Sequence, residues 1–454
     1  MISLCLALCT GLDAQNKALD NNTLDKLRES YKPGAGDKAL RNALNTGSIG
    51  TLAANADNMA MPDTHFSDRV RTKGITDQKR SGRCWLFTGL NVLRAAAIDA
   101  HDLGDFQFSQ SYCFFYDQLE KSNLFLQAII DTRALPLDDR KVDWLLSNPI
   151  GDGGTFTGVA NLVMKYGVVP ADVMPESFIA NSTSDFNSIM KKLLRQDALK
   201  LREAKNEKAA YRLKEQMLEE IYKLLCQCIG QPPLEFEWTR YNSKGEKVSC
   251  KKYTPQEFYQ EFVGWDLNNN YVMLMNDPAR EYYKLYEIEY DRHLYDGDNW
   301  LYLNLPIDRI KEMAIASIKD NKAMYFSCDV AKFLNRTKGT LDLANFDYES
   351  LLGIELTMDK KQRIVTHDSG SSHAMTLIAV DINDEGKSTK WMVENSWGAA
   401  SGYKGNLIMT DEWFDEYMFR LVVEKQYVPE DLLPYLEQKA IQLPAWDPMF
   451  LGEE

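Results

Sequence analysis

The chain has 454 residues and lacks any long apolar run. No segment approaches the roughly 18 consecutive apolar residues of a membrane-spanning helix, so we expect no membrane anchor. A basic excess is missing too, since 52 lysines and arginines face 66 aspartates and glutamates and the net charge is −14. This acidic balance argues against nonspecific nucleic-acid binding. Hydrophobic residues make up 44% of the chain, which is ample for a large globular core.

Cysteine and histidine are scarce and form no metal-binding pattern. The eight cysteines are scattered without the spacing of a disulfide framework, and no Cys/His pair has the spacing of a zinc site. Cys226 and Cys228 lie two apart on a predicted helix and therefore point to opposite sides. We accordingly expect no metal and no cofactor. The histidines are His65, His101, His293, His367 and His373.

The segment 74–87 predicts a cysteine nucleophile at the start of a helix. Gly82 permits a tight turn before Cys84, and a thiol at a helix N-terminus is stabilised as the thiolate by the helix dipole. Gln78, six residues upstream, is a candidate donor to an oxyanion. A lone cysteine is more often a buried core residue, so this hypothesis requires a base elsewhere. The apolar residues that follow recur at helical spacing and predict a buried face: Leu86, Leu90, Leu93 and Ala97.

Candidates for the base and its orienting group lie far along the chain. His373 stands at the start of an apolar strand, and Asn395 follows a second predicted strand that ends in Asn-Ser-Trp-Gly. A Cys–His pair activates sulfur, the histidine then protonates the leaving amine, and an amide fixes the imidazole tautomer. Trp397 would shield the His–Asn hydrogen bond from water. His367 is the rival base, but it lies in a turn-like stretch, so we favour His373.

Together, Gln78, Cys84, His373 and Asn395 resemble the catalytic set of papain-type cysteine peptidases. Three further strings resemble the branch of bleomycin hydrolases and bacterial aminopeptidases C: residues 63–67, 108–112 and 443–449. Secreted papains usually carry a cysteine three residues before the nucleophile; Ser81 stands there, so that disulfide cannot form. The resemblance implies an α+β papain-like fold with a helical and a β-rich lobe, peptide substrates, no cofactor, a homohexamer and a cytoplasmic location.

The catalytic spacing predicts a large insertion. Cys84 and His373 are 289 residues apart, whereas papain-like chains separate these groups by about 130–150. We place the insertion where an apolar stripe predicts a long helix that ends before Gly230: Leu213, Met217, Ile221, Leu224 and Cys228. The predicted division is an N-terminal segment (1–65), a helical lobe with the nucleophile (66–180), an inserted region (181–305), a β-rich lobe with histidine and asparagine (306–440) and a tail (441–454). The resemblance implies that the inserted region mediates oligomerisation; packing within the monomer is the alternative.

Two segments are candidate substrate contacts. Gly153 and Gly154 precede another predicted helix, and paired glycines let a substrate backbone approach closely; an ordinary turn is the alternative. In the resembled family the chain end lies in the active cleft, where its carboxylate attracts the substrate's α-ammonium group. Glu454 is the corresponding residue here, with tail trimming or a frayed terminus as alternatives.

The N-terminus allows two interpretations. Residues 1–9 are apolar and a candidate cleavage point follows at Asp13-Ala14-Gln15, but a basic n-region is missing. A clipped signal peptide (1–14) would mean export, whereas a short tail agrees with a cytoplasmic location.

The sequence therefore predicts a cysteine aminopeptidase of broad specificity. Cys84 would attack the first peptide carbonyl and form a thioester, with Gln78 and the Cys84 N–H at the oxyanion, His373 as acid and base, and Asn395 orienting it. Two alternatives remain open. A cleft free of the tail would give an endopeptidase, and a scaffold that has lost catalysis would give an oligomeric binding protein.

Overall fold

A computed structural model describes residues 18–449. Its helices are α1 Asn21–Ser30, α2 Ala35–Leu44, α3 Ile49–Leu52, α4 Cys84–His101, α5 Gln110–Asp131, α6 Arg140–Ser147, α7 Phe156–Tyr166, α8 Ser184–Arg202, α9 Glu207–Cys228, α10 Pro255–Phe262, α11 Leu267–Asn270, α12 Ile307–Lys319, α13 Tyr348–Leu352, α14 Lys360–Val365, α15 Asp411–Tyr417 and α16 Leu433–Leu436. Its strands are β1 Asp68–Arg69, β2 Phe236–Tyr241, β3 Lys247–Tyr253, β4 Tyr271–Met275, β5 Lys284–Ile288, β6 Leu301–Asn304, β7 Met324–Cys328, β8 Leu334–Asn335, β9 Thr340–Leu341, β10 His373–Ile382, β11 Ser388–Glu394, β12 Asn406–Thr410, β13 Met418–Glu424 and β14 Ile441–Leu443.

The described residues form two compact units. The smaller unit, residues 18–55 and 346–355, contains α1–α3 and α13. Within it, the Asp347 N–H donates to the Ala53 carbonyl at 2.7 Å, which joins its two stretches of chain. The larger unit, residues 56–345 and 356–449, contains Gln78, the paired glycines at 153–154 and the candidate Cys–His–Asn set.

A twelve-stranded sheet organises the larger unit. Eleven strands run in the order β14-β5-β6-β4-β13-β7-β10-β11-β12-β9-β8, and β1 also pairs with β10. Strand β10 lies antiparallel to both β7 and β11. Because β11 runs back along β10 with Glu394 opposite Thr376, the residue after β11 lies beside the start of β10. This pairing brings Asn395 to His373.

Helices cover the sheet and bury two main apolar cores in the larger unit. One core is built mainly from α4, α5, α7, α8 and α9, and the other from the sheet with α12 and α15. The four residues of the predicted apolar face of α4 are each at most 3% exposed, so that face is confirmed. Helix α4 ends at His101, and the capping residue Asp102 adopts the left-handed conformation with φ 48°.

Helix α9 occupies the position predicted from the apolar stripe before Gly230. Met217 and Ile221 are buried, while Leu213 and Leu224 pack partly buried against the same core. Gly230 has φ 117°, a conformation that favours glycine, and the helix ends just before it at Cys228. Strands β4, β5 and β6 follow and join the sheet that carries His373, although the sequence division assigned them to the inserted region. That this region mediates assembly stays a prediction.

Candidate active site

Cys84 is the first residue of α4 and is fully buried. The Ala374 N–H donates to its Sγ at 3.5 Å, so the first turn of the helix meets the strand that begins with His373. The positive end of the helix dipole favours the thiolate at this position. The guanidinium of the preceding Arg83 is held by Glu176, with N–O distances of 2.6 and 3.2 Å. Its charge is therefore balanced by a carboxylate.

Gly82 is needed for its close approach to the Asp152 carboxylate rather than for an unusual turn conformation. It does not adopt a positive φ, and a Cβ there would lie 2.8 Å from Asp152 Oδ1. The Gly82 N–H donates to Asp152 Oδ2 at 2.7 Å, and Trp85 Nε1 donates to the Asp152 carbonyl at 2.7 Å. Asp152 thus connects the residues that flank Cys84 to residues 151–154, called here the glycine loop.

His373 and Asn395 form the predicted hydrogen-bonded pair. His373 Nε2 lies 2.9 Å from Asn395 Oδ1, and both residues are almost fully buried. An amide oxygen only accepts, so Nε2 carries the proton and Nδ1 is the remaining ring nitrogen for chemistry. The Trp397 ring covers the imidazole with centroids 4.9 Å apart. The pair is therefore sheltered from water.

Gln78 is buried and held by the segment that follows Asn395. Its N–H donates to the Ser396 carbonyl at 2.8 Å, and the Ser396 hydroxyl donates to Gln78 Oε1 at 2.6 Å. Gln78 Nε2 donates to the Ser81 carbonyl at 2.7 Å, three residues before the nucleophile. Sequence reasoning missed the role of Ser396 in fixing this amide, although Ser396 lies inside the Asn-Ser-Trp-Gly string.

The paired glycines border a cavity of about 210 Å³ that is lined mainly by α5, α6 and residues 290–293. Lys121 Nζ donates to the Gly153 carbonyl at 2.6 Å. A Cβ on Gly154 would lie 2.3 Å from His293 Cε1, so only glycine fits there. No sequence signal pointed to Lys121 as a support for this loop.

Three of the other histidines lie at the surface or in a separate buried pair. His65 and His367 are exposed, and His367 adopts φ 61° in a turn. His293 is buried with Nδ1 2.6 Å from Asp117 Oδ1. Burial first, and then the charge of Lys121, lowers its pKa.

A buried ion pair connects the nucleophile helix to the asparagine strand. Arg94 Nη2 lies 2.6 Å from Glu394 Oε1, and the two side chains are 3% and 1% exposed. Arg94 lies on α4, and Glu394 immediately precedes Asn395. The only sequence signal for this pair was one arginine within an otherwise apolar helix segment.

Known proteins are similar to this chain in sequence and in fold. The model of the Peptidase C1-like family matches residues 18–450. The chain belongs to this family. Bleomycin hydrolase of Homo sapiens is 43% identical over 391 residues, which cover 83% of this chain and 86% of that protein. Aminopeptidase C of Lactococcus lactis subsp. cremoris is 39% identical over 431 residues, covering 93% and 97%. The crystal structure of PepW from Lactobacillus rhamnosis HN001 superposes with a TM-score of 0.92 at 34% identity, covering 96% of this chain and 99% of that one.

Membership of the Peptidase C1-like family confirms the predicted family and the α+β papain-like fold, and the chain is a cysteine peptidase. No helix among residues 18–449 combines the length and apolarity required to cross a membrane. Within the same range, no group of three or more His, Cys, Asp and Glu side chains is arranged to hold a metal. Glu454 and the candidate leader at 1–14 lie outside the described residues.

Proposed function

We propose that this protein is a cysteine aminopeptidase that removes N-terminal residues from peptides with broad side-chain tolerance. One observation carries the proposal: His373, hydrogen-bonded to Asn395 at 2.9 Å, begins the strand whose next N–H contacts Cys84 Sγ. Relatives named aminopeptidase C, similar over more than nine-tenths of the chain, support it.

The acylation step uses four side chains. The Cys84 thiolate attacks the carbonyl carbon of the first peptide bond, and the carbonyl oxygen becomes an oxyanion. The Cys84 N–H and Gln78 Nε2 donate to that oxyanion. The His373 imidazolium gives its proton to the leaving amine, the C–N bond breaks, and a thioester remains on Cys84. Asn395 Oδ1 keeps the imidazole oriented throughout.

In deacylation His373 acts as a base instead of an acid. Neutral His373 accepts a proton from water, and the resulting hydroxide attacks the thioester carbonyl. The C–S bond breaks, the free amino acid leaves, and the thiolate is paired again with the imidazolium. Each proton passes between water, His373 and the leaving amine, so the proposed cycle calls for no cofactor.

Gly154 is the proposed backbone contact for the bound chain. Gly153 shares that proposed role, but its carbonyl already accepts from Lys121. We therefore assign Gly153 mainly to the shape of the loop and Gly154 to contact with the ligand. The absence of a side chain at Gly154 lets the loop pack directly against His293 and Trp85, which fixes its position.

The tail is the proposed source of aminopeptidase selectivity. The Met449 carbonyl accepts from Arg420 Nη2 at 2.6 Å. Arg420 lies opposite Ser327, and Ser327 lies opposite Ala374. Arg420 thus lies on β13, two strand spacings of about 4.8 Å each from β10, the strand that contacts Cys84. Its side chain tethers Met449.

Five residues follow Met449, and an extended segment of that length reaches about 17 Å. This reach supports a tail that enters the cleft. We propose that the Glu454 carboxylates attract the substrate's α-ammonium group. The tail would also block the sites beyond the first residue, which leaves room for a free N-terminus alone.

A pair of substrates tests the proposal directly. A free-amine aminoacyl fluorogenic amide is compared with its N-acetylated twin, with and without prior alkylation of thiols. We expect cleavage of the free-amine compound alone, lost on alkylation and in Cys84→Ala. Cys250→Ser is the matched control, because Cys250 is exposed on the β2–β3 hairpin.

Other outcomes would contradict the proposal. Comparable cleavage of both substrates would indicate an endopeptidase with an open cleft. No cleavage of either, together with no alkylation of Cys84, would indicate a binding protein.

Assembly and location are further proposals that rest on the family resemblance. We propose a homohexamer built through residues 181–305, tested by native mass spectrometry, for which a monomer at micromolar concentration would be the contrary result. We also propose a cytoplasmic location. Fractionation with N-terminal sequencing tests it, and a processed N-terminus near residue 14 in an exported fraction would favour the signal-peptide interpretation.

A further inference from the structure

A lysine on α5, with only 12% of its side chain exposed, holds the loop that carries the paired glycines. Lys121 Nζ donates to the carbonyls of Gly153 at 2.6 Å and Gly151 at 3.1 Å. Its third contact is Asp117 Oδ2 at 3.0 Å, one turn earlier on the same helix. An ammonium group has three N–H donors, so these partners use all of them. Two carbonyls of the loop are thus aimed at one cation.

Asp117 and His293 complete the support from behind the loop. Asp117 is fully buried and accepts at Oδ1 from His293 Nδ1, 2.6 Å away. The His293 ring lies edge-on to Trp85, with centroids 4.6 Å apart. It also fills the space against Gly154 and Gly158, where a Cβ would come within 2.3 Å of its Cε1. The cluster therefore touches both the glycine loop and the residue after Cys84.

The cluster is expected to contribute little net free energy to folding, which indicates a role other than stability. A buried carboxylate and ammonium lose hydration, and their attraction often does no more than offset that loss. The charges instead fix an orientation. The loop carbonyls of Gly151 and Gly153 must face Nζ so that the lysine has its hydrogen-bond partners. Residues 151–154 belong to no named helix or strand, and two further donors hold their peptides: Gln118 Nε2 to the Gly151 carbonyl at 3.0 Å and Trp85 Nε1 to the Asp152 carbonyl at 2.7 Å. The Gly153 carbonyl is the one that Lys121 orients most directly, at 2.6 Å.

We propose that Lys121, Asp117 and His293 are positioning residues that orient the loop 151–154 and thereby set the affinity for substrate, separately from the chemistry at sulfur. The proposal rests on the proposed aminopeptidase function. None of the three side chains is assigned contact with the reacting atoms. Their effect reaches the substrate through the backbone of Gly153 and Gly154.

Lys121→Met is the decisive variant. We expect KM for a free-amine aminoacyl amide to rise about tenfold while kcat stays within about twofold of wild type. Iodoacetamide needs no contact with the glycine loop, so its rate of Cys84 alkylation should be unchanged. Lys121→Arg keeps the cation and should recover part of the affinity, with imperfect geometry for two carbonyls.

Lys165→Met is the matched control. Lys165 on α7 pairs with Glu120 at 2.7 Å and Asp296 at 2.8 Å, but it donates to no carbonyl of the loop. Its KM should remain at the wild-type value. A KM rise in Lys121→Met no larger than in this control would overturn the proposal, as would an alkylation rate that falls in parallel with kcat.

Thermal unfolding of both variants separates positioning from loss of the fold. If Lys121→Met does not fold, the isosteric Asp117→Asn carries the same expectation of a KM rise with unchanged alkylation. Wild-type protein that alkylates at Cys84 but cleaves no free-amine amide would refute the proposed function. Active wild type with no KM change in the variants would refute the positioning network alone.

Discussion

Nε2 of His373 lies 2.9 Å from Oδ1 of Asn395, although 22 residues separate them along the chain. The contact follows from the antiparallel pairing of β10 and β11, in which Thr376 lies opposite Glu394. A slip of the register by one residue would turn each side chain to the other face of the sheet. The geometry of the pair is thus a consequence of the sheet as a whole.

Removal of the orienting amide should lower catalysis while leaving the nucleophile in place. We expect Asn395→Ala to reduce kcat by about 100-fold, because His373 loses the partner that fixes its tautomer and ring orientation. Steady-state kinetics on the free-amine amide measures this. His367→Ala is the control, since its side chain is exposed. A larger loss in the control than in Asn395→Ala would make His367 the base.

Deletion of residues 450–454 should change which peptides are accepted. Without the tail, an N-acetylated peptide amide should become a substrate, because the block and the Glu454 carboxylate are both removed. The ratio of kcat/KM for acetylated and free-amine compounds measures the change. Substitution of Glu453 by Gln keeps the tail length and serves as the comparison. An unchanged ratio in the deletion would place the source of selectivity elsewhere.

Loss of one partner of the buried ion pair should destabilise the fold strongly. Burial raises the pKa of Glu394 and lowers the pKa of Arg94, and the charges are paired at 2.6 Å. Glu394→Ala leaves an unpaired buried guanidinium and should cost roughly 3–5 kcal/mol in the free energy of unfolding, measured in urea. Replacing both residues by leucine should cost less than the single change.

The hairpin between β10 and β11 offers the control for that experiment. Glu385 and Lys387 form a solvent-exposed pair at 3.5 Å. Exposed pairs contribute about 0–1 kcal/mol, so Glu385→Ala should leave the unfolding curve nearly unchanged. Equal effects at the two sites would mean that Arg94 and Glu394 are hydrated in solution.

His293 should make the fold less stable in acid. Burial, followed by the charge of Lys121, lowers its pKa below the ordinary value of 6.5. The unfolded chain therefore binds the proton first, and the free energy of unfolding falls as pH drops through 6.5 toward the lower pKa of the folded state. His293→Gln should flatten this part of the profile, measured by urea unfolding between about pH 8 and pH 5. His65→Gln, on an exposed residue, should keep the wild-type slope.

Sequence reasoning went furthest where the signal is local. Helical spacing after Cys84 predicted the buried face of α4, and an apolar stripe before Gly230 predicted α9. The four residues expected to meet, Gln78, Cys84, His373 and Asn395, do converge in the structure. The reason predicted for Gly82, a tight turn, was wrong. Glycine is required there because the Asp152 side chain, 70 residues away in sequence, lies against it.

The supports of the site belong to the tertiary structure alone. Arg94 and Glu394 are 300 residues apart, and His293 and Asp117 are 176 apart. The residue types alone do not show which charged side chains pair, because many other charged residues of the chain could form the same kind of pair. The amino-acid sequence determined the nucleophile string, the strand that begins at His373 and the amide that follows β11. Which buried charges hold these elements was decided by the folded arrangement, since only the order of strands and helices brings distant charges together out of water.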